Sequence, residues 1–295
     1  MSLTITTRPA ASWDISNRDP ALAPREPRLK HNSTNATPNG RNAKGKTSSK
    51  QVRQLSSLYE EAKHLFYQSA LSESFEAMLR AKNRPRVNKA VSLGLGTLAP
   101  SKFQSRRMKQ LVIFIAIASY LGLTSDDSGA GALYAQDPTF TKTDEEFLAS
   151  LGIQILKTPS IYDLGEAGRT IDGNTVVYSP ILTIAAYTRL FTPLSEQSVE
   201  SSGIDALPLL IGDDFNALRM KWERRTTEYK IVEEVMKTMK ARAFQRRAVG
   251  GEGFWEEADN TFPMAVYWGQ TGRGRATERG AQKEGVAVKA RRGKL

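Results

Sequence analysis

The stretch that most constrains this chain runs from Val91 to Phe140. Ala90 to Leu93 reads as a short strand, Gly94-Leu95-Gly96-Thr97 as a glycine turn, and about Lys102 to Leu121 as a long apolar helix. A second strand, Ala132 to Ala135, follows and ends in Gln136-Asp137-Pro138. The most apolar run, Leu111 to Leu123, is about 13 residues, short of the roughly 20 a membrane helix needs, so it reads as a helix buried on a sheet. Strand, glycine turn, helix and strand make the opening unit of a doubly wound α/β domain, whose first loop faces the ligand crevice.

The rest of the chain extends that pattern. Apolar runs at Ile153 to Leu156, Thr175 to Tyr178 and Leu207 to Gly212 alternate with helical segments, the signature of a parallel sheet. The expected fold is therefore α/β: a Rossmann-like, doubly wound, mostly parallel sheet of about five strands or more. Gln51 to Arg80 carries apolar residues at three- and four-residue spacing and reads as a helical lead-in. Thr143 is the expected cap of the helix that follows the second strand. Ser160 to Asn174 reads as a surface loop, and Asn216 to Arg247 as one long charged helix. Met264 to Trp268 is apolar enough to dock as a last strand.

Charge divides the chain into three. The net charge is +11, but residues 1–50 hold nine Lys/Arg against three acids, and residues 273–295 hold eight against two. The domain between them, residues 51–272, is close to neutral, so the basic character belongs to the tails. Both tails lack apolar periodicity and are expected to be disordered. They offer a compositional route to nucleic acid. Gly40-Arg-Asn-Ala-Lys-Gly45-Lys46-Thr47 matches a phosphate-loop pattern, but no strand feeds it, so its backbone amides have no frame on which to converge. Cysteine is absent, and only His31 and His64 are present, which leaves little material for thiolate or histidine metal sites. No secretory or membrane signal is apparent. The expected location is the cytoplasm, the nucleus or both.

Candidate ligand-binding residues gather at the carboxyl ends of the expected strands, where open α/β sheets hold their ligands. They are Gly94, Gly96 and Thr97 of the turn, Ser101 as cap of the helix after it, Asp137, Ser179 and Asp213. Glycines let the backbone adopt positive φ and let a phosphate or ribose approach. A tight strand-to-helix turn needs the same glycines. An acid after the second strand suits ribose hydroxyls, although Asp137-Pro138 also suits a turn. Arg80 to Ser125 contains nine Lys/Arg and no acid, with Lys102, Arg106 and Arg107 near the turn. An adenosine-type nucleotide or S-adenosylmethionine is the cofactor class these positions would fit.

The sequence resembles the sensitivity-to-red-light-reduced domain family, in a fungal-style variant. The resemblance rests on Ser92-Leu-Gly-Leu-Gly-Thr, Tyr134-Ala-Gln-Asp-Pro-Thr-Phe-Thr, Asp144-Glu-Glu-Phe-Leu-Ala-Ser-Leu-Gly, Val177-Tyr-Ser-Pro and Leu210-Ile-Gly-Asp-Asp-Phe. It implies a regulatory protein acting through protein partners, in a family linked to light signalling, the circadian clock, haem-synthesis regulation and cytoskeletal phenotypes. Many members carry Pro-His-Cys after the fourth strand, whereas here Pro180 is followed by Ile181-Leu182. Three functions stay open: a regulatory or interaction protein, a nucleoside-cofactor enzyme such as a methyltransferase, and nucleic-acid binding through the tails.

Overall fold

The computed structural model describes residues 41–81, 84–124, 131–160, 163–191, 207–250, 253–259, 261 and 263–269, with side chains from residue 49 onward. Expectations for residues 1–40 and 270–295, including the disorder of the basic tails, lie outside the described residues.

Among the described residues seven strands form one sheet, in the order β3-β2-β1-β4-β5-β7-β6. They are β1 (Lys89–Leu93), β2 (Ala132–Gln136), β3 (Ile153–Ile155), β4 (Thr175–Ser179), β5 (Leu209–Asp213), β6 (Gln245–Val249) and β7 (Met264–Trp268). The first five run parallel. β7 lies antiparallel to β5, and β6 antiparallel to β7 at the sheet edge. From β1 the chain winds outward through β2 to β3, then returns to the other side of β1 with β4 and winds out again. The switch point therefore lies between the carboxyl ends of β1 and β4, where such sheets open a crevice.

The helices are α1 (Arg41–Tyr67), α2 (Ala70–Leu79), α3 (Gln104–Tyr120), α4 (Lys142–Ser150), α5 (Ala167–Thr170), α6 (Ile184–Phe191), α7 (Phe215–Lys221) and α8 (Thr227–Ala241). One face of the sheet carries α1 to α4. There Phe66, Phe75, Phe114, Ile117 and Phe147 pack on Ala90, Ala135, Tyr178 and Ile211. The other face carries α5 to α8, with Tyr187, Leu190, Phe215, Val232 and Met239 packed on Val91, Val177, Leu210 and Tyr267. α3 is buried on nearly every side from Met108 to Tyr120, as its apolar run requires.

The structure corrects several expectations. The lead-in helix begins at Arg41, ten residues before Gln51, and Gly45, Lys46 and Thr47 of the phosphate-loop pattern lie inside it. Ser160 to Asn174 is not wholly a surface loop: it contains α5, and Leu164, Ala167 and Ile171 are buried. The long helix expected over 216–247 is broken. Trp222 is extended, with ψ at 144°, and Thr226 starts a new helix by accepting the Tyr229 amide. Beyond α8 the chain turns through Ala243, at φ 57°, and residues 245–249 become strand β6 because β7 offers them a hydrogen-bonding partner. A polar segment with helical composition is overridden by its tertiary neighbour.

Candidate functional site

β1 ends at Leu93 and the glycine turn follows at once. Gly94 and Gly96 have φ of 75° and 77°, a region that side chains with a Cβ avoid. Space is tight as well. A Cβ on Gly94 would stand 3.2 Å from the Ile181 carbonyl oxygen, and one on Gly96 would fall 2.6 Å from Arg107 Nε. The first contact places the Ile181-Leu182 backbone, after β4, directly across the switch-point crevice.

Two carboxylates from the next βα unit hold the turn. Asp137, just past β2, accepts the Gly96 amide through Oδ2 at 2.8 Å. Its Oδ1 accepts the Thr139 amide at 2.8 Å and the Thr139 hydroxyl. Asp137 is half-buried. Asp144, only 1% exposed, accepts the Thr97 hydroxyl at 2.7 Å and the Leu98 amide at 2.9 Å. It also accepts the Thr141 amide at 2.8 Å, closing a capping box on α4. Arg107 donates to the Thr97 carbonyl at 2.9 Å. Partial burial lowers its pKa, and the charges of Asp137 and Asp144 oppose that shift. Glycine turn, Asp137, Asp144 and Arg107 thus form one connected hydrogen-bonded edge at the carboxyl ends of β1 and β2.

Two cap assignments change. Ser101 is not the cap of α3: Phe103 occupies that place without a side-chain cap bond, and Ser101 Oγ accepts the Phe103 amide at 3.3 Å. α4 is capped by Thr141 rather than Thr143. Asp144 was not among the expected site residues. Its signal is the Thr-x-x-acid spacing of a capping box, Thr141 to Asp144.

Ser179 and Asp213 occupy the carboxyl ends of β4 and β5, as expected, but both are buried. Their common partner is Tyr187 of α6. The Tyr187 hydroxyl donates to the Ser179 carbonyl and accepts the Asp213 amide at 3.2 Å. Asp213 Oδ2 lies 3.2 Å from the same hydroxyl. A phenol has one hydrogen, and the Ser179 carbonyl is its nearest acceptor. The Tyr187 oxygen also accepts from the Ser179 hydroxyl at 3.4 Å, so the Asp213 carboxyl has only a shared claim on the Tyr187 hydrogen. Burial pushes the Asp213 pKa well above its ordinary 3.8, against the opposing effects of Tyr187 and Lys221. Burial also raises Tyr187 and lowers Lys221. The Tyr187 hydroxyl sits over Gly212, where a Cβ would come within 2.8 Å of it.

Of the expected residues, then, Gly94, Gly96, Thr97 and Asp137 meet in one half-exposed edge. Ser179 and Asp213 form a separate buried cluster, and Ser101 stands exposed outside both. Among the described residues no group of three or more His, Asp or Glu side chains could hold a metal ion, and no helix is long and apolar enough to cross a membrane.

The SRR1 domain family model matches residues 51–270. No curated protein matches the chain. Solved structures similar to it include the cofactor-bound Rv0187 protein from MTB, at 10% identity, 80% of this chain, 99% of that one and a TM-score of 0.40. The fibrillarin pre-rRNA processing protein of Methanococcus jannaschii is 15% identical over 66% of this chain and 73% of that one, with a TM-score of 0.34. Aeropyrum pernix fibrillarin with natively bound S-adenosyl-L-methionine is 10% identical over 69% and 76%, also at 0.34.

Proposed function

The chain belongs to the SRR1 domain family, and we propose that it is a regulatory protein whose Rossmann-like domain binds an adenosine-type ligand at the β1–β2 edge. The carrying observation is the 2.8 Å contact between the Gly96 amide and Asp137 Oδ2. It brings the glycine turn and the acid after β2 side by side, in the arrangement that receives a ribose and the group attached to it. Asp137 keeps acceptor capacity beyond the bonds it makes within the edge, since a carboxylate offers about four lone-pair sites. S-adenosylmethionine and adenine nucleotides are the ligands of this chemistry.

The regulatory half of the reading rests on the side chains present. Asp144 is consumed by Thr97, Leu98 and Thr141, and Arg107 donates to the Thr97 carbonyl. Asp213 and Tyr187 serve each other beneath the surface. These groups shape the site, and none is placed as a free base beside the turn. Where relatives carry Pro-His-Cys, this chain has Pro180-Ile181-Leu182, and its backbone lies against Gly94. The protein acts, on this reading, in the cytoplasm or nucleus by passing ligand occupancy to a protein partner, in signalling of the light, circadian or haem-regulatory kind.

The test is a thermal-shift panel on the full chain with S-adenosylmethionine, S-adenosylhomocysteine, ATP and NAD. A ligand at one hundred times its Kd adds about 2.7 kcal/mol, a shift of several degrees. A stabilising adenosine compound that is recovered unchanged supports the proposal. Turnover of that compound would make the protein an enzyme, and a flat panel would remove the ligand.

A further inference from the structure

β6 is the last strand of the sheet, hydrogen-bonded only to β7 among the described residues. Its first four residues, Gln245 to Ala248, are all exposed, and among the described residues no strand pairs with its outer edge. Charged side chains on an edge strand ordinarily discourage pairing, and Arg246 and Arg247 would do that here against a neutral or basic strand.

A cleft of about 370 Å³ opens beside this edge, between β6 and α8. Met236 and Met239 of α8 and Phe244 line it with apolar surface, and Lys240, Arg246 and Tyr267 add polar groups. Arg246 alternates onto the face of the sheet that carries α8, opposite Tyr267. A strand added outside β6 would therefore send every second side chain under α8 into this cleft. Methionine is suited to such a surface because its unbranched side chain adapts to varied partners.

The rim has one sign of charge. Its acid, Asp214, is already held by Arg246 in a two-pronged ion pair. Lys240 on the rim and Arg247, which alternates with Val266 onto the opposite face of the sheet, have no ion-pair partner among the described residues. The chain's own C-terminal stretch does not suit this place: it follows Gly269, next to the Trp268–Gln245 end of the β6–β7 pair, and residues 270–295 hold eight Lys/Arg against two acids. Like charge opposes its docking.

The geometry points to β6 and this cleft as a docking site for an extended acidic segment of a partner protein, one that adds a strand to β6, places an apolar side chain between Met236, Met239 and Phe244, and sets one carboxylate on Lys240 beside the cleft and another on Arg247 on the opposite face. Main-chain pairing supplies affinity, and the alternating side chains supply selectivity. This site is independent of the β1–β2 edge and stands whether or not that edge binds a ligand.

The test uses the full chain and a fluorescein-labelled nonapeptide with leucine at alternate central positions and glutamate elsewhere, which offers carboxylates to both faces of the strand, read by fluorescence anisotropy. Three controls accompany it: a lysine-for-glutamate version, a version N-methylated at alternate residues, and a uridine-rich RNA of similar charge. The acidic peptide is expected to bind, and binding should weaken roughly tenfold in the Lys240→Glu/Arg247→Glu double variant and further in high salt. Both positions are exposed, so circular dichroism should be unchanged in that variant. The N-methylated and lysine peptides should not bind. The proposal is overturned if the acidic peptide fails to bind, if N-methylation or charge reversal leaves its affinity unchanged, or if the RNA displaces it and binds more tightly.

Discussion

Asp144 gives the sharpest handle on the glycine turn, and its replacement by alanine should be among the most damaging single changes in the domain. The carboxylate is 1% exposed and accepts the Leu98 amide at 2.9 Å, the Thr141 amide at 2.8 Å, the Thr97 hydroxyl at 2.7 Å and the Thr141 hydroxyl at 2.9 Å. Asp144→Ala strands two backbone donors in a water-poor place, at about 1–3 kcal/mol each, and forfeits two hydroxyl bonds. A total near 4 kcal/mol follows. Thr141→Ala is the internal reference. It removes the side-chain cap on the Asp144 amide, 3.2 Å away, at about 1 kcal/mol. Urea unfolding followed by circular dichroism measures both. For a domain of this size, 4 kcal/mol corresponds to a fall in Tm of roughly 8–16 °C. Hydrogen exchange should show the Leu98 amide losing its protection in Asp144→Ala while the centre of β1 keeps its own. If Asp144→Ala costs no more than Thr141→Ala, the carboxylate caps a helix and nothing else, and its role in the turn is wrong.

Three further outcomes can be checked with the same apparatus. Gly212→Ala should cost about 2–4 kcal/mol, because the new Cβ meets the Tyr187 hydroxyl at 2.8 Å and the Ser179 carbonyl at 2.9 Å and breaks a buried network; a loss under about 1 kcal/mol would mean that α6 slides aside freely. Asp213 has a raised pKa in the folded chain, so between its ordinary 3.8 and its raised value the folded state holds a proton that the unfolded state has released. Stability must fall as pH rises through that interval. Asp213→Asn should flatten that dependence and match or exceed the wild type at neutral pH; an unchanged slope would show that Asp213 ionises normally. Lys109 and Asp259, 4% and 2% exposed, form a 2.6 Å ion pair between α3 and the β6–β7 connection. Asp259→Ala should cost about 3–5 kcal/mol, whereas the Lys109→Met/Asp259→Leu pair should cost less, about 1–3 kcal/mol for the Glu256 amide and Ser105 hydroxyl that lose Asp259; equal losses in both would contradict the account of that contact.

The sheet was legible where sequence and tertiary structure ask for the same thing. Ala90 to Leu93, the glycine turn and the apolar run of α3 have one compatible arrangement, and β2, β4 and β5 follow from short apolar runs between helical ones. β6 was hidden because Gln245-Arg246-Arg247 has the composition of an exposed helix, and only β7 beside it makes it a strand. The site was half legible. Gly94, Gly96 and Asp137 could be placed from the rule that loops after parallel strands share an edge. Asp144 could not, because assigning the cap to Thr143 moved the frame by two residues and concealed the Thr141–Asp144 spacing. Tyr187 has the spacing of one more apolar contact of α6, and nothing in the order of residues reveals that its hydroxyl reaches across Gly212 to Ser179 and Asp213.

Calorimetric titration of S-adenosylmethionine and ATP into the wild-type chain and Asp137→Asn tests the ligand-binding edge most directly. Asparagine keeps the shape and one acceptor oxygen, enough for either the Gly96 amide or the Thr139 donors, while removing the charge. The account predicts that one of these adenosine compounds binds the wild type and binds Asp137→Asn about tenfold or more weakly, as the loss of charge-assisted hydrogen bonds to a ribose requires. Equal affinity in the two proteins, or no heat from either ligand with the wild type, would contradict it.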